Sequence, residues 1–340
     1  MIGFKKADLG TTEMDMSEFD APAIDPNLRP DPAAFDFDLD HALKSVVSLQ
    51  SQVPDSAYTA AVLGTERAGH GVVIGDDGLV LTIGYLIAEA QTIWLVNHAG
   101  AAVAGHVAGY DHETGFGLVQ ALGDLSAPAL PLGSSREIVA GDDVVFAGHG
   151  GRRGSITARI EEKREFAGYW EYLLDEAIFT APAHPFWGGG ALIGPQGTLC
   201  GIGSLYVQQN VEGGQTYDGN MIVPIDLLPP ILNDLRRFGR PQQAARPWIG
   251  ALTAESDGRV VVVGLWENGP ADSAGLRPGD LVVGVDKSPV TTLSELFRAM
   301  WGLGEAGTNV PLDVLRAGQL TEIHIESRDR AAFYEAPKLH

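Results

Sequence analysis

The side chains that could carry acid–base or nucleophilic chemistry are few and scattered. His70, His106, His112, His149 and His184 fall at the ends of strand-like runs or in the turns between them. Serine-type hydrolysis needs a serine oxygen, a histidine that takes its proton, and a buried carboxylate that fixes the histidine tautomer. Ser155, Thr157 and Ser204 lie in or beside strand-like runs with no base next to them, and read as structural. Asp111 adjoins His112, and His184 stands four residues before Gly188, so a relocated acid–base pair is one arrangement to test. No H-x-x-x-H or H-E-x-x-H pair occurs, so no metal site has local spacing, and no cofactor is implied. The one cysteine, Cys200, lies in the apolar run GTLCGIGSLYV and reads as a small core residue. With one cysteine no intrachain disulfide forms.

The elements that must position these groups are short and mostly extended. The chain has 340 residues, enough for two or three domains that each bury a core. Its 43 glycines and 20 prolines favour many turns, hence strands over long helices. A net charge of −21 repels phosphate backbones and anionic lipid, so nucleic acid and membrane surfaces are poor partners. No apolar stretch is long enough to span a bilayer, and the start MIGFKKADLG carries no apolar segment of the signal-peptide kind. From these features a cytoplasmic location is expected.

Residues 1–39 are acidic and aperiodic, with Phe19, Phe35 and Phe37 interleaved, and are expected to form a flexible arm. Residues 40–239 are a succession of short strands: SVVSLQ, YTAAVLGTE, HGVVIG, LVLTIG, TIWLVN and AVAGHVAGY, then a second set from DDVVFAGHG to MIVP. GDDG at 75–78 is a hairpin turn. Such a pattern predicts a sandwich or closed barrels. PIDLLPPILNDLRRFG reads as a closing helix, with Arg236 and Arg237 in its last turn and Gly239 as its stop. Residues 240–247 form a polar linker, 248–328 a small mixed domain, and 329–340 a tail.

Three stretches carry a resemblance. GHGVVIGDDGLVLT, PLGSSREIVAGDDVVFAGHG and, most specifically, NGPADSAGLRPGDLVVGVDKSPV resemble the HtrA/DegP group of trypsin-like proteases. The resemblance covers about residues 42–328. It implies a mostly β chain: a chymotrypsin-like double β-barrel followed by a small α+β PDZ domain. It also places the three catalytic positions of the group at Tyr85, Gly115 and Gly188. TAPAHPFWGGGALIG, residues 180–194, then looks like the nucleophile loop with glycine where the serine stands. A phenol is a poor proton acceptor at neutral pH and glycine has no nucleophile. The expectation is a degenerate triad and a chain that is not an enzyme, a pseudoprotease, with Phe186 and Trp187 refilling the cleft. The alternative is a serine-type or other hydrolase with a relocated centre.

For the PDZ half the resemblance implies capture of a ligand carboxylate on backbone amides and addition of a ligand strand to a sheet edge. Trp248, Ile249 and Gly250 would supply the amides, and Ala251 and Leu252 the start of the pairing strand. The opposite wall would be the helix TLSELFRAM, where Leu293, Leu296, Phe297 and Met300 share one face, with Leu296 and Met300 lining the groove. Expected partners are protein or peptide C-termini, further copies of the chain as a trimer, or a larger assembly in which the chain is a scaffold or subunit.

Overall fold

The computed structural model describes residues 24–210 and 216–335. Phe19 with the rest of the first part of the arm, and the tail beyond residue 335, lie outside the described residues. The chain divides into two compact units. The first comprises residues 24–163 and 177–240, the second residues 164–176 and 241–335.

The first unit holds two closed barrels. After a short helix α1 (Leu39–Leu43), the strands β1 (Val46–Gln52), β2 (Glu66–Val73), β3 (Leu79–Ile83), β4 (Thr92–Val96), β5 (Ala102–Tyr110) and β6 (Phe116–Ala121) close in the order β1-β2-β3-β6-β5-β4. All pairings around this barrel are antiparallel. The expected run YTAAVLGTE is not a strand. It contains the turn of helix α2 (Ala60–Leu63), because alanine and leucine favour helix and Gly64, at φ 78°, stops it. The second barrel is built from β7 (Asp143–Ala147), β8 (Ser155–Gly168), β9 (Tyr172–Ala181), β10 (Ala191–Ile193), β11 (Leu199–Asn210) and β12 (Thr216–Pro224). It closes in the order β10-β11-β12-β9-β8-β7. Its core gathers Phe146, Ile156, Ile160, Ile178, Leu192, Cys200 and Ile222. Helix α3 (Pro229–Phe238) follows and ends on Gly239 in the left-handed conformation, as its sequence predicts.

The described part of the arm, residues 24–39, takes up defined structure. Ile24 joins the core of the second barrel, and Asp25 and Asp31 cap two single turns. Leu39 is buried within the chain itself, while Phe35 and Phe37 remain half-buried and touch each other. A buried leucine gains roughly 1.5–3 kcal/mol, enough to fix this segment locally.

The second unit is a sheet with two helices. Its strands β13 (Ala251–Ser256), β14 (Arg259–Leu265), β15 (Leu281–Val285), β16 (Ser288–Pro289), β17 (Asn309–Arg316) and β18 (Gln319–Glu326) run in the order β13-β14-β15-β17-β18, with β16 beside β15. Helix α4 (Pro270–Ser273) is one turn. Helix α5 (Leu293–Trp301) opens with a capping box: Thr292 accepts the Glu295 amide and Glu295 accepts the Thr292 amide. Leu293, Leu296, Phe297 and Met300 are all buried in one cluster, as their spacing predicts. That cluster also contains Leu173, at the start of β9.

Candidate functional site

Two places in the chain carry recognisable site geometry. The first is the cleft of the double barrel. Tyr85 sits in a single turn, Gly84–Leu86, just after β3. Arg67 on β2 fixes this turn: its guanidinium donates to the carbonyls of Tyr85 at 2.8 Å and Ala88 at 3.0 Å. Glu89, in the left-handed region at φ 61°, anchors the same turn by accepting the Tyr58 and Thr59 amides. Neither Arg67 nor Glu89 stands out in the sequence, because their role is set by partners far along the chain.

The structure brings the three expected positions together. A β-carbon on Gly188 would lie 2.9 Å from Tyr85 Oη, and Gly84 donates its amide to the Gly115 carbonyl at 2.7 Å. The Tyr85 hydroxyl donates to the Ser204 carbonyl at 2.9 Å, and burial pushes its pKa further up. Gly115 has φ 83°, a conformation that suits glycine over aspartate. Its amide closes a turn on Asp111, whose buried carboxylate also accepts the Thr114 amide.

The histidines are used in packing. His70 on β2 accepts the His149 amide at Nδ1 and is lowered to about 3, chiefly by burial. His184 accepts the Phe186 amide at Nδ1 and faces the Gly154 carbonyl through Nε2 at 2.9 Å. Burial lowers its pKa too. A neutral imidazole has one acceptor nitrogen, and in both rings that nitrogen is taken. The Phe186 amide, one donor of the turn, is thereby spent on His184. His106 is exposed on β5 and His112 stacks edge-on with Tyr110, both away from this pair in the chain. The two rings expected to refill the cleft are placed differently. Trp187 packs against the second-barrel core and on Tyr206, whereas Phe186 is 43% exposed.

The second place lies within the second unit. The loop before β13 runs through Trp248, Ile249 and Gly250. Gly250 has φ 77°, and a β-carbon there would meet the Trp248 ring at 3.1 Å. Glycine is therefore required for the loop to aim its amides. Those amides converge on one carboxylate, that of Glu171. Ile249 donates at 3.1 Å, Gly250 at 2.7 Å and Ala251 at 3.0 Å. Trp248, Ile249 and Gly250 are the expected donors to a ligand carboxylate; the donors to Glu171 are Ile249, Gly250 and Ala251, while the Trp248 amide pairs with the Arg328 carbonyl. Leu252 lies at the start of β13, opposite Gly264.

Glu171 and its neighbours are missed in the sequence. Residues 164–176, REFAGYWEYLLDE, carry a tyrosine–tryptophan–glutamate–tyrosine tip between charged flanks. An aromatic cluster around one acid at a hairpin tip is the only signal that could have drawn notice.

The comparisons agree with this architecture. A trypsin-like peptidase domain matches residues 69–202 and a PDZ domain matches residues 247–326. The chain is 26% identical over 278 residues to a probable periplasmic serine endoprotease DegP-like from Pseudomonas putida. That match covers 76% of this chain, which spans 56% of the relative's length. It is 23% identical to serine endoprotease DegS of Haemophilus influenzae, covering 77% of each chain. Among solved structures it superposes on the HtrA-type protease AlgW with decapeptide, TM-score 0.51 at 20% identity, covering 86% of this chain and 99% of that one. A second AlgW structure, of a variant with tripeptide, gives TM-score 0.52 at 21% identity, covering 86% and 98%.

The fold is therefore of the trypsin-like class with a C-terminal PDZ domain, and mostly β. Within that class the chain is similar to the DegP-like and DegS serine endoproteases.

These comparisons correct one expectation. Tyr85, Gly115 and Gly188 lead to the expectation that the chain is not an enzyme. Its curated relatives are named serine endoproteases, which overturns that assignment. The cytoplasmic expectation also gains no support, since the relatives are named periplasmic. Among the described residues no helix is long and apolar enough to cross a membrane.

Proposed function

We propose that this chain is an HtrA-like protein that binds polypeptide through its PDZ groove, as a scaffold for, or subunit of, a larger assembly. One observation supports this: three consecutive backbone amides, of Ile249, Gly250 and Ala251, converge on a carboxylate. Amides aimed at a single anion make charge-assisted hydrogen bonds, roughly twice as strong as neutral ones. Leu296 and Met300 on α5 are buried in the cluster that also holds Leu173, and in this reading a ligand side chain would take the place of that leucine against them. The ligand class is a strand with a carboxylate at one end and apolar side chains behind it. The net charge of −21 disfavours acidic peptides at low salt, so neutral or basic ones bind better. The test is titration with one apolar peptide in two forms, free acid and C-terminal amide. The acid binds at micromolar affinity and the amide much more weakly; equal binding refutes carboxylate capture.

Hydrolysis of the bound polypeptide is a second reading, favoured by the names of the curated relatives. Incubation with unfolded casein reads it out. Fragments that scale with protein and persist through purification assign hydrolysis; intact casein leaves binding alone.

A further inference from the structure

The hairpin tip between β8 and β9 belongs to the second unit, not to the barrel that its strands help to close. Three features of residues 164–176 are those of a PDZ ligand. The Glu171 carboxylate takes the Ile249, Gly250 and Ala251 amides. The Tyr169 carbonyl accepts the Thr253 amide of β13 at 2.9 Å, a main-chain bond to the sheet edge. Leu173 is buried in the cluster that contains the apolar face of α5. A carboxylate on the loop, a backbone pairing with the edge strand and an apolar side chain against the helix are the three contacts by which such a groove holds a peptide.

The tip is anchored at its base and strained at its end. Arg298 of α5 pairs with both Glu165 and Asp175, and Ser294 donates to Glu165. Glu171 itself has φ 58°, in the left-handed region where glycine is at ease and glutamate is not. A residue held there persists because its surroundings over-determine it. Here the surroundings are the three amides.

We propose that residues 164–176 are a tethered ligand of the PDZ groove, with the Glu171 side chain standing in for a peptide's terminal carboxylate, and that an incoming peptide binds by displacing this tip. The inference rests on the reading that the groove binds carboxylate-bearing strands. It adds that the resting groove is occupied, and that the groove accepts an internal glutamate as well as a chain terminus. Because the tip is joined to the groove's own chain, it competes as an intramolecular ligand, and the apparent affinity for free peptide falls by the fraction of time the groove is open.

The test uses the full chain as wild type, Glu171→Gly and Glu171→Gln. Glycine removes the carboxylate and relieves the left-handed backbone; glutamine keeps the shape and removes the charge. The probe is a fluorescein-labelled neutral octapeptide ending in a free leucine, followed by anisotropy, with its amidated form alongside. Expected is an affinity at least tenfold higher for the acid peptide in Glu171→Gly, a smaller rise in Glu171→Gln, and weak binding of the amide throughout. Equal affinity in all three proteins, with the acid still preferred, overturns the tethered ligand while leaving the groove as a peptide site. No binding in any of them, or no preference for the acid, removes the groove reading and the tether with it. A second measurement needs no variant. Saturating acid peptide should speed chymotrypsin cleavage of the wild-type chain at Tyr169, Trp170 or Tyr172 severalfold, and an unchanged rate under saturation overturns the displacement.

Discussion

The Gly250 amide lies 2.7 Å from a carboxylate oxygen of Glu171, although 79 residues separate them in the chain. This pair joins a sequence motif that is easy to read to a tip that is not. It also sets the pH dependence of the groove. Burial raises the Glu171 carboxyl from 4.5 to about 7, against the pull of the three amides and of Arg330, the charged group whose field reaches it. The docked tip thus holds its proton more tightly than the released tip. Docking is strongest at low pH and weakens as pH rises from about 4.5 to about 7, by up to about tenfold per pH unit, then levels off. A free peptide's carboxylate is ionised across this window, and in the groove it meets the same burial as Glu171. The peptide's own term is common to both proteins, so the ratio of wild-type to Glu171→Gly affinity should rise with pH to a plateau near 7. Titrations of both proteins at a series of pH values check this, and a ratio that falls with rising pH contradicts it.

Gly250→Ala should damage the loop. Its φ of 77° costs about 1–2 kcal/mol for a residue with a β-carbon. That carbon also meets the Trp248 ring at 3.1 Å. Chemical unfolding should show the loss, and peptide titration should show weaker binding in the same variant.

Gly188→Ser should disturb Tyr85. The new β-carbon would lie 2.9 Å from the phenol oxygen, so the ring must move and its bond to the Ser204 carbonyl is strained. A lost hydrogen bond of this kind costs about 1 kcal/mol. With Tyr85→Phe in the background there is no phenol oxygen to meet, so the serine should cost less than in the wild type. A double-mutant cycle by urea unfolding measures the coupling, and additive effects refute the contact.

Much of this architecture is legible in the sequence, and the reasons are local. The left-handed stop at Gly239 and the apolar face of α5 depend on residues a few positions apart. The run at 58–66 misleads because valine and tyrosine favour strand while its alanines and leucine favour helix, and one helical turn wins. The loop 248–250 stands out in the sequence, but the pairing of the Trp248 amide with the Arg328 carbonyl does not, because 80 residues separate them. Glu171, Arg67 and Glu89 are not legible, because each acts on backbone groups distant in sequence.

Asp280 should stabilise the PDZ unit at neutral pH and make it sensitive to acid. Its buried carboxylate accepts two bonds from Arg316, at 2.7 and 2.6 Å, and the Arg277 amide at 2.8 Å. Chiefly through Arg316, its pKa is lowered. A depressed acid contributes stability above its unfolded pKa, near 3.9, and loses it as pH falls through the folded value. Asp280→Ala should destabilise the unit by about 2 kcal/mol at pH 7, with a smaller effect near pH 3. Urea unfolding at the two pH values checks the sign.

Self-association as a trimer is a further proposal. Leu39 is already buried within its own chain, which leaves the half-buried Phe35 and Phe37 as the apolar groups of the arm's last part. Light scattering at micromolar concentration should give three times the 36.0 kDa of one chain. A monomer mass refutes it, and an unchanged mass after Phe35→Ala and Phe37→Ala removes the arm from the interface.

The most direct measurement of the occupied groove is hydrogen exchange at the Ile249, Gly250 and Ala251 amides. In the wild type without peptide all three should be protected, since each donates to Glu171. In Glu171→Gly their exchange should quicken at least tenfold, and saturating acid peptide, but not its amide, should restore protection. Equal exchange in wild type and variant would contradict the account.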